Sequence, residues 1–425
     1  MAPRGSTRIQ RICGVSIRVG ARGRGLEVGA WRSGLGGQVT PRRRAAGAVL
    51  ASTGTFGIRR GPAALRAAPP APSVLFPRNP ELAARLVATP DDDEAYLVYG
   101  DWLQDRGSPH GELIHVQRAL RAAPHDIALR RREAELLEVH GPELVGALLV
   151  PQIKMLGWHG GFVRRAVLTA DELLELTTYP AGLLLRELDV DGEWTLQPVI
   201  DRLAAAPPTL VALRLGISTK DADLSHEIGE LGGIWRAQPR LARLVVEDGA
   251  LGLGVVASRS LRELVLRPTT LTTGNLRSLA EASLPALEHL ELWLEHDDGY
   301  GYPHRDRDRW AQRRPRCSIR LEEVHHLLGS LRWPSLRHLH IANTTLGDAL
   351  CDVLVRSPLR HQLTSLALTR GRITDAGAAL LASNLDAFPR LERIDLDHNR
   401  IATRALLDAL PSGGMPGIQN ALGPR

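Results

Sequence analysis

Lysine is nearly missing from this chain. Only Lys154 and Lys220 occur in 425 residues, so arginine carries almost all the positive charge. Aromatic residues make up 4% of the sequence, and the core must be built from Leu, Val and Ala. The three cysteines, Cys13, Cys317 and Cys351, have neither pairing nor metal-ligand spacing. That excludes a disulfide framework and fits a reducing, cytoplasmic compartment. Cys351 lies in an apolar helical stretch and reads as a small core residue. No apolar run approaches the ~18 residues of a membrane helix, so no membrane partner is expected. Hydrolase elbow, phosphate loop and dinucleotide fingerprint are all missing; the glycine-rich run from Gly249 to Gly254 lacks both a lysine and a βαβ context. With no nucleophile or base to name, the chain is expected not to be an enzyme and to need no cofactor.

The charge that is present is unevenly placed. The formal net charge is +6. Residues 1–78 hold fourteen arginines and one acid, Glu27, or +13, which leaves −7 for the remainder. The folded part is therefore mildly acidic, and overall charge gives no argument for nucleic acid. Residues 1–78 show no sustained period and are expected to be disordered. They read in three ways: an organelle-type leader, an Arg-rich tail for nucleic acid or acidic partners, or translated sequence upstream of a natural start near residues 74–79.

From residue 79 the pattern changes. Residues 79–145 are expected to form a small helical domain, with helices over 81–88, 95–104, 112–121 and 127–139. Thr89-Pro90 followed by Asp91, Asp92, Asp93 and Glu94 supplies a cap, an early proline and acids in the first helical turn. Gly107 is the expected stop of the second helix. The acids lack the ligand order of a calcium loop and read as capping residues.

Beyond Trp158 the leucines become periodic. Leu363, Leu366 and Leu368 recur 28 residues later as Leu391, Ile394 and Leu396. The same LxxLxL spacing starts at Leu185, Leu210, Leu241, Leu261, Leu287 and Leu336, after a degenerate first copy at Val163, Ala166 and Leu168. Alternation puts the leucines of each strand inward and the residues between them outward. An Ala/Leu-rich helix pattern follows. Units of 20 to 29 residues that cannot bury their own surface must stack. The expected fold class is α/β: a curved parallel sheet inside and helices outside, in a solenoid over 158–410. The 49-residue step from Leu287 to Leu336 implies an insertion over 299–320, Arg-rich with Tyr300, Tyr302 and Trp310 interleaved. Residues 411–425 are expected to be a flexible tail.

Two resemblances follow. The segment Leu391-xx-Ile394-x-Leu396-xx-Asn399-x-Ile401 resembles the ribonuclease-inhibitor class of leucine-rich repeats. The asparagine site holds Gly371, Thr344 or Thr269 in earlier copies, so an asparagine ladder is largely missing. Thr89 to Asp93, Leu97 to Leu103, Asp105-Arg106-Gly107, and Gly111 to Ile114 with Gln117 resemble the repeat-companion domain of myxobacterial and planctomycete proteins. That likeness implies a bacterial protein, leucine-rich repeats downstream and no catalytic activity.

The expected function is noncatalytic binding of a protein partner on the concave face. The candidate contacts are His289, Glu291, Trp293, His338 and His340, with Tyr300, Tyr302 and Trp310 of the insertion above them. An exposed Trp beside titratable groups is a reasonable hot spot. Two other classes compete. One is a nucleic-acid binder using the Arg-rich tail and insertion. The other is a metal-dependent enzyme in which His338 and His340 share one strand face and His289 or Glu291, ~4.8 Å away on the next strand, supplies a third ligand. Partner and oligomeric state are not encoded in any feature of the sequence.

Overall fold

A computed structural model describes residues 9–12, 15–18, 78–217, 226–269, 271–294, 319–329, 331–403 and 411. The chain divides into units 1–67 and 68–425. In the first, β1 (Ile9–Ile12) and β2 (Val15–Arg18) form an antiparallel hairpin. The remaining residues of 1–77 lie outside the described set.

The second unit opens with α1 (Pro80–Ala88), α2 (Asp93–Gln104), α3 (Pro109–Ala122) and α4 (Ile127–Val145). Asn79 caps α1. The cap of α2 is Asp92, which accepts from the Glu94 N–H, and not Thr89 as the sequence suggests. Thr89 instead closes α1, its hydroxyl donating to the Arg85 carbonyl. Gly107 ends α2 with φ +67°. Helix α4 runs six residues past its expected end at Val139, through Pro142, because Leu144 and Val145 are buried in the core.

Ten strands then form one sheet, parallel throughout except for the first pair. They are β3 (Gly157–His159), β4 (Phe162–Thr169), β5 (Glu187–Gly192), β6 (Ala212–Ile217), β8 (Arg243–Glu247), β10 (Glu263–Arg267), β11 (His289–Trp293), β12 (His338–Ala342), β13 (Ser365–Thr369) and β14 (Arg393–Asp395). Between them, β7 (Glu227–Glu230) and β9 (Ala250–Gly252) pair separately. From β5 on, each sheet strand starts two residues after the first leucine of its LxxLxL motif. Register is kept across the sheet: Ala166, Leu188, Leu213, Leu244, Leu264, Leu290, Leu339, Leu366 and Ile394 form one row. A one-residue slip would turn this row outward, so burial fixes the register.

Helices α5 (Ala170–Leu176), α6 (Gln197–Ala205), α7 (Gly232–Ala237), α8 (Thr273–Ala280), α9 (Leu321–Leu328), α10 (Asp348–Arg356) and α11 (Asp375–Ser383) lie between strands and bury apolar side chains, mostly leucines but Ile234 and Trp235 in α7, in the same core as that row. The step from β8 to β10 is too short for a helix and carries β9 instead. Asn275 of α8 ties it down, accepting from Leu253 N and donating to the Leu251 carbonyl. Adjacent units are also stitched by acids. Asp348 accepts from the Thr374 N–H and hydroxyl, and Asp375 does the same for Thr403. Asn399 donates to the Leu368 and Leu396 carbonyls. The edge strand β14 is met by the chain itself, Ile394 N donating to the Pro411 carbonyl. Of the expected insertion 299–320, only Ile319 and Arg320 are described. They belong to the start of α9, with Ile319 buried beneath it.

The helical segment shares a core with the start of the sheet. Leu86, Tyr96, Tyr99, Leu103 and Ile114 pack with Phe162 and Leu184. The β3–β4 turn, Gly160-Gly161, has φ +55° and +81°, as a tight hairpin turn requires. Gly161 donates to Gln117 Oε1 at 2.7 Å, and its carbonyl accepts from His110 Nε2 at 2.8 Å. Asp91 bridges Arg164 and Arg186 at 3.0 and 2.8 Å.

Candidate binding face

The sheet face turned away from the helices collects the outward residues of every strand. Three rows cross it. The central row includes Asp189, Arg214, Val245, Val265, Glu291, His340 and Ala367, each opposite the next in register. The structure brings His289, Glu291, Trp293, His338 and His340 onto the adjacent strands β11 and β12, with His289 opposite His338 and Glu291 opposite His340. Tyr300, Tyr302 and Trp310 lie outside the described residues.

The burial of this cluster differs from expectation. Glu291 is only 3% exposed. Its Oε1 accepts from Arg267 Nε at 2.6 Å and from the Trp293 indole at 2.8 Å, and Oε2 accepts from Arg267 Nη2 at 3.1 Å. His340 Nδ1 lies 3.4 Å from Oε2, while His340 Nε2 and the Thr369 hydroxyl are 2.8 Å apart. Glu291, expected among the exposed contacts, is thus covered by its own neighbours. Ser365, Ala367 and Thr369, expected to point outward, are buried too. They are small, and His340 reaches across Thr369.

Glu291 is one end of a longer ladder. Arg267 also holds Glu247 at 2.7 Å, and Glu247 accepts from Arg214 at 2.7 Å. Arg214 in turn binds Asp189 and Asp191. Alternating charges therefore link β5, β6, β8, β10 and β11, and His340 and Thr369 extend the chain to β13. The outward positions already carried this signal: reading the strands side by side sets each arginine beside carboxylates. A list of outward residues taken strand by strand misses it.

Electrostatics follow from burial. Burial alone would raise the Glu291 carboxyl, but His340 and Arg267 over-compensate and hold it far below the usual carboxylate range. Glu247 behaves likewise, with burial opposed by Arg214 and Arg267. Burial lowers His289 to about 4. His338 is lowered as well, by burial and then by Arg393. Both imidazoles are neutral at pH 7, with ring centroids 6.0 Å apart. His289 Nε2 and His338 Nδ1 are buried without a hydrogen-bond partner among the described residues.

As for metal, no group of three or more His, Cys, Asp or Glu side chains among the described residues is placed to hold an ion. Of the two third ligands considered, His289 or Glu291, the latter is already engaged by Arg267, Trp293 and His340. Among the described residues no helix is long and apolar enough to cross a membrane. Cys351 is buried in the core, and its thiol is pushed up to about 12 by burial and then by Asp348. Apart from the front face, a cleft of about 800 Å³ opens between α1 and α6, lined in part by Arg78, Tyr99, Tyr179, Asp201 and Leu210.

No family model matches the chain, and no curated protein does. Among solved structures, a protein from Bacteroides fragilis is similar over 58% of this chain and 71% of its own, at 19% identity and a TM-score of 0.46.

Proposed function

We propose that this chain is a leucine-rich-repeat solenoid capped by a helical companion domain, and that it binds a protein partner on the sheet face turned away from the helices. The observation that carries this reading is the in-register apolar row across nine strands, seven of its members leucines, which leaves a varied set that includes Asp189, Arg214, Glu291 and His340 on the opposite face. Stacked units hold such a surface rigid, so little order has to be gained on binding. The companion-domain reading is supported by what its motif residues do. Asp91 ties the sheet through Arg164 and Arg186, Asp92 caps α2, and Gln117 holds the Gly161 turn. These three residues serve docking and capping.

Trp293 is the preferred anchor. Its indole is half-buried, hydrogen-bonded to Glu291, and flanked by the Arg267 and Arg370 guanidinium groups at 5.7 and 5.5 Å from the ring centroid. The test is capture of partners from a native lysate by the full chain, beside a Trp293→Ala, His338→Ala variant of unchanged circular dichroism. Glu291 is left intact because its loss would disturb the sheet itself. A partner held by the first bait and lost by the second supports the reading. A partner held equally by both would move recognition off this patch.

A further inference from the structure

At the C-terminal rim of the sheet, a second surface lies apart from the patch on β11 and β12. Directly after β5 the chain runs Glu193-Trp194-Thr195. Trp194 is 61% exposed. A large indole in water is costly to leave uncovered, and here it is not loose. The Trp194 carbonyl accepts from Glu227 N at 3.0 Å, Thr195 bridges to Glu227, and the indole lies against His226 with ring centroids 5.2 Å apart. His226 is itself buried at 7% exposure. One side of the indole is thus braced while most of the ring remains in solvent.

The described residues next to Trp194 in the chain and across the Thr195–Glu227 bridge are acidic: Glu193 precedes it, Glu227 pairs with Thr195, and Glu230 lies three residues further along β7. Glu193, Glu227 and Glu230 are exposed, and none is in an ion pair among the described residues. Asp191, two residues before Glu193, is already shared with Arg214. The front-face acids differ from these three, because Arg214 and Arg267 neutralise them internally. Among the described residues these three rim carboxylates have no internal cation, and a basic partner would supply one.

We infer that Trp194, with Glu193, Glu227 and Glu230, forms a docking site for a basic polypeptide segment, in which an arginine or lysine of the partner lies over the free part of the indole. The ring's negative face attracts the cation, and an arginine plane also stacks on it. The three carboxylates steer the segment in and pair with its other basic residues. Nucleic acid is repelled by the same charges. This site stands independently of the binding patch around Trp293.

The test uses the full chain and a fluorescein-labelled peptide of alternating glycine and arginine, followed by anisotropy at low and at physiological salt. The expected result is binding that weakens with salt, falls about tenfold in Trp194→Ala, as for an interface anchor, and is largely kept in Trp194→Phe. The triple variant Glu193→Gln, Glu227→Gln, Glu230→Gln should weaken binding and flatten its salt dependence. All four side chains are exposed, so the fold is expected to be unchanged, and circular dichroism checks this. The Trp293→Ala variant should bind the peptide normally, which separates this site from the front-face patch. No binding by the wild-type chain overturns the inference. So does equal binding by the Trp194→Ala or triple variants, or equal binding of a glycine–glutamate peptide.

Discussion

At the scale of single residues, Glu291 decides most. It is buried, it accepts two hydrogen bonds from Arg267 and one from the Trp293 indole, and its partner Arg267 would otherwise depend on Glu247 alone. Removing one member of such a pair leaves an uncompensated charge, which costs about 3 kcal/mol or more. Glu291→Ala is therefore expected to lower stability by about 3 kcal/mol in urea unfolding at pH 7. A loss under about 0.5 kcal/mol, as at exposed ion pairs, would contradict the burial argument. The histidines set a separate acid dependence. Burial holds His289 and His110 near 4, below the ~6.5 of the unfolded chain. As pH falls from about 6.5, the unfolded chain takes up protons first, so stability is lost down to about pH 4 and then levels for these groups. Glu291 acts in a lower window. Its folded carboxyl is depressed, so its contribution is complete above about 4.3 and is lost below it. The urea midpoint should drop between pH 7 and 5, and His289→Gln should shrink that drop; an unchanged drop would assign it to His110 and the other histidines. Alternation showed from sequence which residues share the front face. It could not show that Glu291 is covered, because covering depends on Arg267 and His340 from other strands, each brought beside it by register.

At the scale of elements, the leucine spacing placed the eight strands of the main sheet from β5 to β14, because each repeats one physical requirement, an inward row; β7 and β9, which pair apart from that sheet, carry no such spacing. The unit after β8 was less legible: its 20-residue step left no room for a helix, and only the tertiary tie from Asn275 shows what fills the space. Glycines separate two kinds of turn. At Gly107, φ is +67° and nothing lies within 4 Å of an added Cβ. At Gly161, φ is +81° and an added Cβ would sit 2.5 Å from Ile114 Cγ1. Gly107→Ala should cost about 1 kcal/mol, the strain of a left-handed residue. Gly161→Ala adds a collision with a buried side chain and should cost roughly 3 kcal/mol, strain and overpacking together. Thermal unfolding of the two variants checks the difference. Equal shifts would mean that the β3–β4 turn is not seated against α3. From sequence both glycines look alike; only the docked partner distinguishes them.

At the scale of the whole second unit, the sheet needs its first edge covered. β3 and β4 begin it, and Phe162 and Leu184 there are 1% and 0% exposed because α1, α2 and α3 pack on them. Among the described residues no strand precedes β3 in the sheet, so the apolar surface at this edge needs cover from elsewhere in the chain. The helical segment meets that need with an apolar inner side and with polar ties, Gln117 to Gly161 and Asp91 to Arg164 and Arg186. Arg240, three strands away, adds hydrogen bonds to the Val87 and Ala88 carbonyls at the end of α1. Residues 146–425 expressed without this segment would expose Phe162, Val163 and Leu184 together, an apolar edge that favours pairing with other chains. The expected outcome is a protein that binds a hydrophobic dye and elutes as aggregate, while Asp91→Asn in the full chain costs under about 1 kcal/mol because that carboxylate is mostly exposed. A monomeric, cooperatively unfolding 146–425 would show instead that the sheet closes its own edge, and the helical segment would then be an attached domain with a role other than capping.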